Sequence, residues 1–182
     1  VTRVYLSLGS NVGDRLATLR AAVRRLHGVA AVEFVDASPL YDSEPWESEP
    51  GQTASEQRWY LNCVVAIETA LSPRALLAEL QTIETALGRT RPPGTPEAQR
   101  FAERTLDIDI LFYGDQVLSA SDDLHVPHLL LAERGFVLRP LADLAPELVH
   151  PALYRSVREL LAELEDEHDV HPGQYPARWY VD

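Results

Sequence analysis

Lysine is missing from this chain: all 16 of its basic residues are arginine. That excludes a Walker A loop, a lysine-dependent kinase site and Schiff-base chemistry. Phosphate would have to be handled by arginine, histidine, backbone amides or metal, and the planar guanidinium grips phosphate oxygens in pairs. There is one cysteine, Cys63, so no internal disulfide forms and no multi-cysteine zinc or iron–sulfur site can be built. No apolar run approaches a membrane span, and no signal-peptide pattern opens the chain. The formal net charge of −12 disfavours nucleic-acid and membrane surfaces as partners. The GxGxxG, HExxH and G-x-S-x-G patterns are also missing. What is present is 182 residues, 46% of them apolar, enough for one domain with a substantial core. A soluble cytoplasmic protein is expected.

Hydrophobic periodicity predicts strands over 3–9, 32–38, 59–69 and 105–113 and helices over 14–27, 72–88 and 156–165. Ser72-Pro73 is a helix-start signal and Gly88 a helix-end glycine. Gly114-Asp115 predicts a tight turn into a short partner at 116–118. Residues 124–139 read as irregular, with a short helix at 129–134 and a strand at 136–139. The tail from Asp166 reads as peripheral. Two long segments, 39–58 and 89–103, carry too much proline and glycine for regular structure, and loops of that length are often functional lids. Strands and helices interleave without Rossmann glycines. The predicted class is α+β, a ferredoxin-like antiparallel or mixed sheet in one domain, with helices on one face.

The sharpest chemical signal is R-T-L-D-I-D-I-L at 104–111. Side chains alternate along a strand, so Asp107 and Asp109 share a face roughly 6–7 Å apart. Such a pair suits Mg²⁺, whose remaining coordination substrate phosphates complete. It also suits a solvent-facing strand with acidic outward positions. Arg89, Arg91, Arg100 and Arg104 lie along the preceding segment, where they would fold over a polyphosphate or simply be solvated. Tyr60 and Asn62 share a face of their strand. The asparagine amide matches the lactam-like edge of a pterin or purine and the aromatic ring can stack on it, although a polar residue at a sheet surface explains the same pattern. His125 and His128 flank Pro127, which breaks the helix that would align them on zinc; either His128 or Arg134 could donate to phosphate, although a lone histidine is more often structural.

These pieces, in this order, resemble the 6-hydroxymethyl-7,8-dihydropterin pyrophosphokinase family of folate biosynthesis. The stretches that carry the resemblance are Y-L-S-L-G-S-N-x-G-D (5–14), Y-L-N (60–62), Q-x-I-E (81–84), G-R-x-R (88–91), R-T-L-D-I-D-I (104–110), V-P-H (126–128) and R-G-F-V-L (134–138). The resemblance implies that pyrophosphate moves from ATP to the pterin hydroxymethyl oxygen, leaving AMP. It implies two Mg²⁺ ions on Asp107 and Asp109, with Arg100 and Arg104 catalytic beside them. It implies a pterin held between Tyr60 and Phe136, read by Asn62, with Ser43 and Trp46 adding contacts. Gln81, Glu84, Arg89, Arg91, Arg104, His128 and Arg134 would serve ATP. The catalytic domain is expected over 1–165 with the tail at 166–182 packed on it or extending from it, as a monomer or weak dimer. Two rival functions share these residues: a metal-dependent nucleotide phosphohydrolase and an inactive pterin- or nucleotide-binding module.

The chain departs from the family pattern in four places, one of them a longer stretch between Arg91 and Arg104 that carries Pro92, Pro93, Gly94 and Pro96. R-F-A-E-R (100–104) stands where R-W-G-P-R is usual, Leu129 follows V-P-H in place of tyrosine, and Glu44 replaces a frequent proline. These changes place the chain's individuality in its loops and not in the aspartate pair.

Overall fold

Strand β1 (Thr2–Ser10) lies inside the sheet, between two neighbours, and is buried at Val4 and from Leu6 to Ser10. The computed structural model describes residues 1–46, 58–88 and 105–181. After β1 the chain enters helix α1 (Arg15–His27), capped by the Asp14 carboxylate accepting from Ala17 N–H at 3.0 Å. Strands β2 (Val32–Ala37), β3 (Tyr41–Ser43) and β4 (Tyr60–Thr69) follow. Helix α2 (Pro73–Ala86) takes Ser72 as its cap and ends before Gly88, whose φ of +92° needs the missing side chain. Strand β5 (Asp107–Tyr113) completes the β1-α1-β2/β3-β4-α2-β5 order.

The main sheet has six strands, in the order β5-β1-β4-β3, with β8 (Val170–Pro172) beyond β3 and with β2 also on β4. All of its pairings are antiparallel. This is the predicted α+β, ferredoxin-like arrangement. β2 and β3 share one edge of β4, β2 along 65–69 and β3 along 60–62. The segment 39–58 therefore holds a short strand, which the prolines on either side of it hide from sequence reading.

Helices cover both faces of the sheet, where the sequence predicts one. On the first face, Leu6, Leu8, Val65 and Ile110 pack with Leu19, Leu26, Leu76 and Leu80 of α1 and α2. On the second, Val64 and Leu111 pack with Val137, Leu138 and Leu141 of α3 (Gly135–Leu144) and with Val157 and Leu160 of α4 (Val157–Ala162). Residues 136–139 are thus helical and not the expected strand. Phe136-Val137-Leu138 has β propensity, yet Val137, Leu138 and Leu141 fall on one helical stripe, and burying that stripe wins over local preference. The partner after Gly114 is also displaced. β6 (Leu118–Ser121) pairs with β7 (Leu124–Val126) in a separate hairpin, and a 3₁₀ turn at Leu131–Glu133 takes the place of the short helix.

The tail is not peripheral. Trp179 is fully buried in the first core and donates its indole N–H to Ser38 O at 2.8 Å. β8 extends the sheet beyond β3. One large aromatic ring anchors a segment whose remaining residues are mostly polar, which is why its composition misleads.

Candidate active site

The second face of the sheet changes character along its length. Under α3 it is apolar, with Val64 and Leu111. Beyond the start of α3 the same face carries Ser7 and Gly9 of β1, Tyr60 and Asn62 of β4, Ser43 of β3, and Asp107 and Asp109 of β5. Antiparallel register brings them together: Asp107 lies opposite Gly9, Asp109 opposite Ser7, Asn62 opposite Gly9 and Ser43 opposite Tyr60. A period-two pattern on separate strands becomes one polar floor because no register slip intervenes in that stretch.

A cavity of about 360 Å³ opens on this floor. Tyr60 and Asn62 line it below, Asp107 and Asp109 stand at one end, and Trp46, Arg134 and Phe136 form the far wall. Asn62 is buried and donates from its amide nitrogen to the Ser43 hydroxyl. Gly9 must lack a side chain here, since a Cβ would sit 2.6 Å from Asn62 Oδ1. On the far wall the Arg134 guanidinium lies 5.6 Å from the Trp46 ring centre and 5.5 Å from that of Phe136. The two rings meet edge-on at 6.4 Å. Aromatic rings in the floor and the far wall, with a fixed amide beside them, suit a flat, hydrogen-bonding heterocycle.

Asp109 also lines a second cavity, of about 320 Å³, along the outer edge of β5 with Leu77, Ile108, Leu124 and His128. Burial pushes the His128 pKa below the ordinary histidine value while the Asp109 charge pulls it back up. Its Nδ1 accepts from Leu130 N–H at 3.2 Å, which leaves Nε2 as the atom able to carry a proton outward. Glu84 is buried on α2, and its carboxylate accepts from Ile108 N–H at 3.3 Å, between the two aspartates. Gln81 stands half-buried one turn before it. Arg89, Arg91, Arg100 and Arg104 lie outside the described residues.

Asp107 and Asp109 both line the first cavity. Among the described residues no cluster of three or more His, Cys, Asp or Glu side chains forms a self-sufficient metal cage. Two carboxylates on a rigid strand, with the rest of the shell open, fit Mg²⁺ carried in by a polyphosphate better than a structural metal.

The model of the 7,8-dihydro-6-hydroxymethylpterin-pyrophosphokinase family matches residues 5–146. The chain belongs to this family. It is 43% identical over 166 residues to the 2-amino-4-hydroxy-6-hydroxymethyldihydropteridine pyrophosphokinase of Methylorubrum extorquens, covering 91% of this chain and 95% of that one. The protein of the same name from Pseudomonas aeruginosa is 40% identical over 162 residues, with 89% and 91% covered. Among solved structures, the HPPK-DHPS of Plasmodium falciparum superposes with a TM-score of 0.65 at 16% identity. That match covers 89% of this chain and 45% of the Plasmodium chain, and it speaks for the fold. The pyrophosphokinase is an enzyme, and its reaction is ATP-dependent transfer of pyrophosphate to 6-hydroxymethyl-7,8-dihydropterin in folate biosynthesis. Among the described residues no helix is long and apolar enough to cross a membrane.

Ser7 and Gly9 are floor residues to which sequence reading assigns no role. The signal for Gly9 lay in Y-L-S-L-G-S-N, but only the cross-strand register shows what its missing side chain makes room for.

Proposed function

We propose that the pterin occupies the cavity over Asn62 and that ATP enters along the outer edge of β5, so that the two substrates meet at Asp109. The observation that carries this is the double placement of Asp109, in the wall of both cavities. A transfer between two substrates needs two seats joined at the reacting atoms.

In the first seat Tyr60 and Phe136 face the two sides of the pterin ring and Asn62, steadied by Ser43, reads its edge. Arg134 and Trp46 close the wall. In the second seat His128 offers Nε2–H to a phosphate oxygen, and Glu84 holds the β5 edge amide between the aspartates. Asp107 and Asp109 would hold two Mg²⁺ ions, which supply charge neutralisation on the polyphosphate when bound. The hydroxymethyl oxygen attacks the β-phosphorus in line and gives up its proton to solvent, the bond from that phosphorus to the oxygen bridging it to the α-phosphate breaks, and AMP departs with that oxygen. Placement of the two seats contributes most of the rate. Arg89, Arg91, Arg100 and Arg104 are assigned to the phosphates on the resemblance alone. The domain assignment of 1–165 needs its tail, because Trp179 and β8 belong to the folded unit.

The test mixes the protein with ATP, Mg²⁺ and the pterin and follows AMP. AMP formed only when pterin is present supports the reading. ADP or free phosphate from ATP alone would favour a phosphohydrolase, and binding without turnover a non-catalytic module. Asp107→Ala and Asp109→Ala should each remove Mg²⁺-dependent turnover while the melting temperature stays near the parent's. Retained activity in either would refute the metal assignment.

A further inference from the structure

The far wall of the pterin cavity brings together two rings from distant parts of the chain, and a third segment joins them. Trp46 follows β3, and Phe136 is the second residue of α3. The two rings meet edge-on although their positions are far apart in sequence. Between them lies Asp166, in the tail, with a side chain only 2% exposed.

Each oxygen of this carboxylate holds one of the two segments that build the far wall. Oδ2 accepts from Gly135 N–H at 2.8 Å. Gly135 is the first residue of α3, and no side chain within α3 or its own cap satisfies that end. Asp166 therefore caps the helix from across the molecule, with its charge at the positive end of the helix dipole. Phe136 is the next residue. Oδ1 accepts from the backbone N–H of His168 at 3.0 Å and from its ring Nδ1–H. The His168 ring then stacks on Trp46 with centroids 4.6 Å apart and planes 29° from parallel. A Cβ on Gly135 would lie 3.2 Å from Asp166 Oδ2, so the approach is close as well as hydrogen-bonded.

The segment around this carboxylate is itself tied to the Trp46 side. Glu44 N–H donates to Asp169 O at 3.0 Å, and Asp169 N–H donates to the Glu44 carboxylate at 2.7 Å. Residues 170–172 then pair with β3. Glu44 is one of the positions at which this chain departs from its family pattern, and proline there could not donate the N–H that makes the first of these bonds.

We infer that Asp166 and His168 are positioning residues for the pterin seat, fixing how Trp46 and Phe136 meet in its far wall. The inference rests on the pterin seat proposed above. Asp166 touches neither substrate nor phosphate in this scheme. It acts through Gly135 on Phe136, and through His168 on Trp46. The tail thereby becomes part of the substrate site and not a cover for the sheet edge.

The experiment compares the full-length protein with His168→Ala, His168→Phe and Asp166→Asn, measuring KM for pterin, KM for ATP, kcat and melting temperature. The His168 side chain is 33% exposed, so its truncation leaves the fold standing. Loss of one stacking contact on Trp46 should raise the pterin KM about 3–10-fold. ATP KM and kcat should stay at the parent values, because the contact acts on pterin binding and not on transfer. Phenylalanine at 168 keeps a flat ring and the backbone amide held by Asp166, so it should restore the pterin KM. Asparagine at 166 has one acceptor oxygen for the two segments of the far wall and should reproduce the rise. An unchanged pterin KM in both His168→Ala and Asp166→Asn would overturn the inference. So would a joint loss of both KM values and melting temperature without rescue by phenylalanine, which marks a merely structural role. Failure of the parent protein to form pterin-dependent AMP would instead sink the seat itself, a result distinct from a working enzyme indifferent to His168.

Discussion

Replacing Gly9 with alanine tests the floor of the pterin seat more directly than any change to the metal ligands. The added Cβ would lie 2.6 Å from Asn62 Oδ1, well inside contact distance, and would also approach the Tyr60 ring at 3.5 Å. The amide end of Asn62 is the part that must move. It is 3% exposed and bonded to Ser43, so moving it breaks a buried hydrogen bond. Leaving a buried polar group unpaired costs about 1–3 kcal/mol. Against this, alanine loses less backbone entropy than glycine on folding, worth roughly 0.5–1 kcal/mol in its favour. The clash is the larger of the two, so the variant should be destabilised by about 1–2 kcal/mol. For a chain of this size that lowers the melting temperature by about 2–8 °C. Function should suffer more than stability: an Asn62 turned from its position no longer matches the pterin edge, and the pterin KM should rise about tenfold or more. Steady-state kinetics with pterin varied at saturating ATP, beside a thermal melt, reads both quantities. The double variant Gly9→Ala/Asn62→Ala supplies the control: removing the Asn62 amide removes the clash, so the double variant should lose less than the sum of the two single losses. Strict additivity, or a parent-like pterin KM in Gly9→Ala, would refute the close approach as the reason for glycine here.

Trp179→Ala should cost about 3–5 kcal/mol, the usual range for emptying a fully buried aromatic site, and a chemical denaturation curve would show the midpoint fall without loss of a single transition. His150 supplies a pH dependence. Burial pushes its pKa below the ordinary value, and its Nδ1 accepts from Ala152 and Leu153 N–H groups at 3.2 and 3.1 Å, so the folded state favours the neutral ring. Between that lowered pKa and the unfolded value the unfolded chain binds more protons, so stability should rise with pH across this window and be lost as pH falls through it. Melts of the parent and of His150→Ala over pH 5–8 check the sign, the variant showing a flatter profile. For Asp166, burial opposes ionisation but the hydrogen bonds from Gly135 and His168 outweigh it, and the carboxyl titrates below the usual range. Its stabilising contribution should therefore be complete above the ordinary carboxylate pKa and disappear only as pH drops through the depressed one; an earlier loss, near neutrality, would contradict it.

How much of this was legible from sequence depends on how far each feature's cause extends along the chain. β1, β4, β5, α1 and α2 were readable because their causes are local: alternating or helical apolar periods, Asp14 and Ser72 at helix starts, Gly88 at a helix end. The pairs Asp107/Asp109 and Tyr60/Asn62 were readable for the same reason, each being two residues apart on one strand. Ser43 and Phe136 entered only through resemblance to a family, since a three-residue strand and a misread helix carry no local signal of a shared cavity. Phe136-Val137-Leu138 ahead of Pro140 looks like a strand to any local rule, and it becomes a helix because β4 offers its stripe a surface to cover. Asp166 and His168 have no local signal at all. An acidic tail with one tryptophan near its end is, by composition, a solvated appendage. The burial of that tryptophan and the pairing of residues 170–172 with β3 bring the carboxylate against Gly135, more than thirty residues upstream. Residues that bind by their own chemistry announce themselves in sequence, whereas residues that only hold others in place are visible once the chain is folded, and this chain's tail belongs to the second kind.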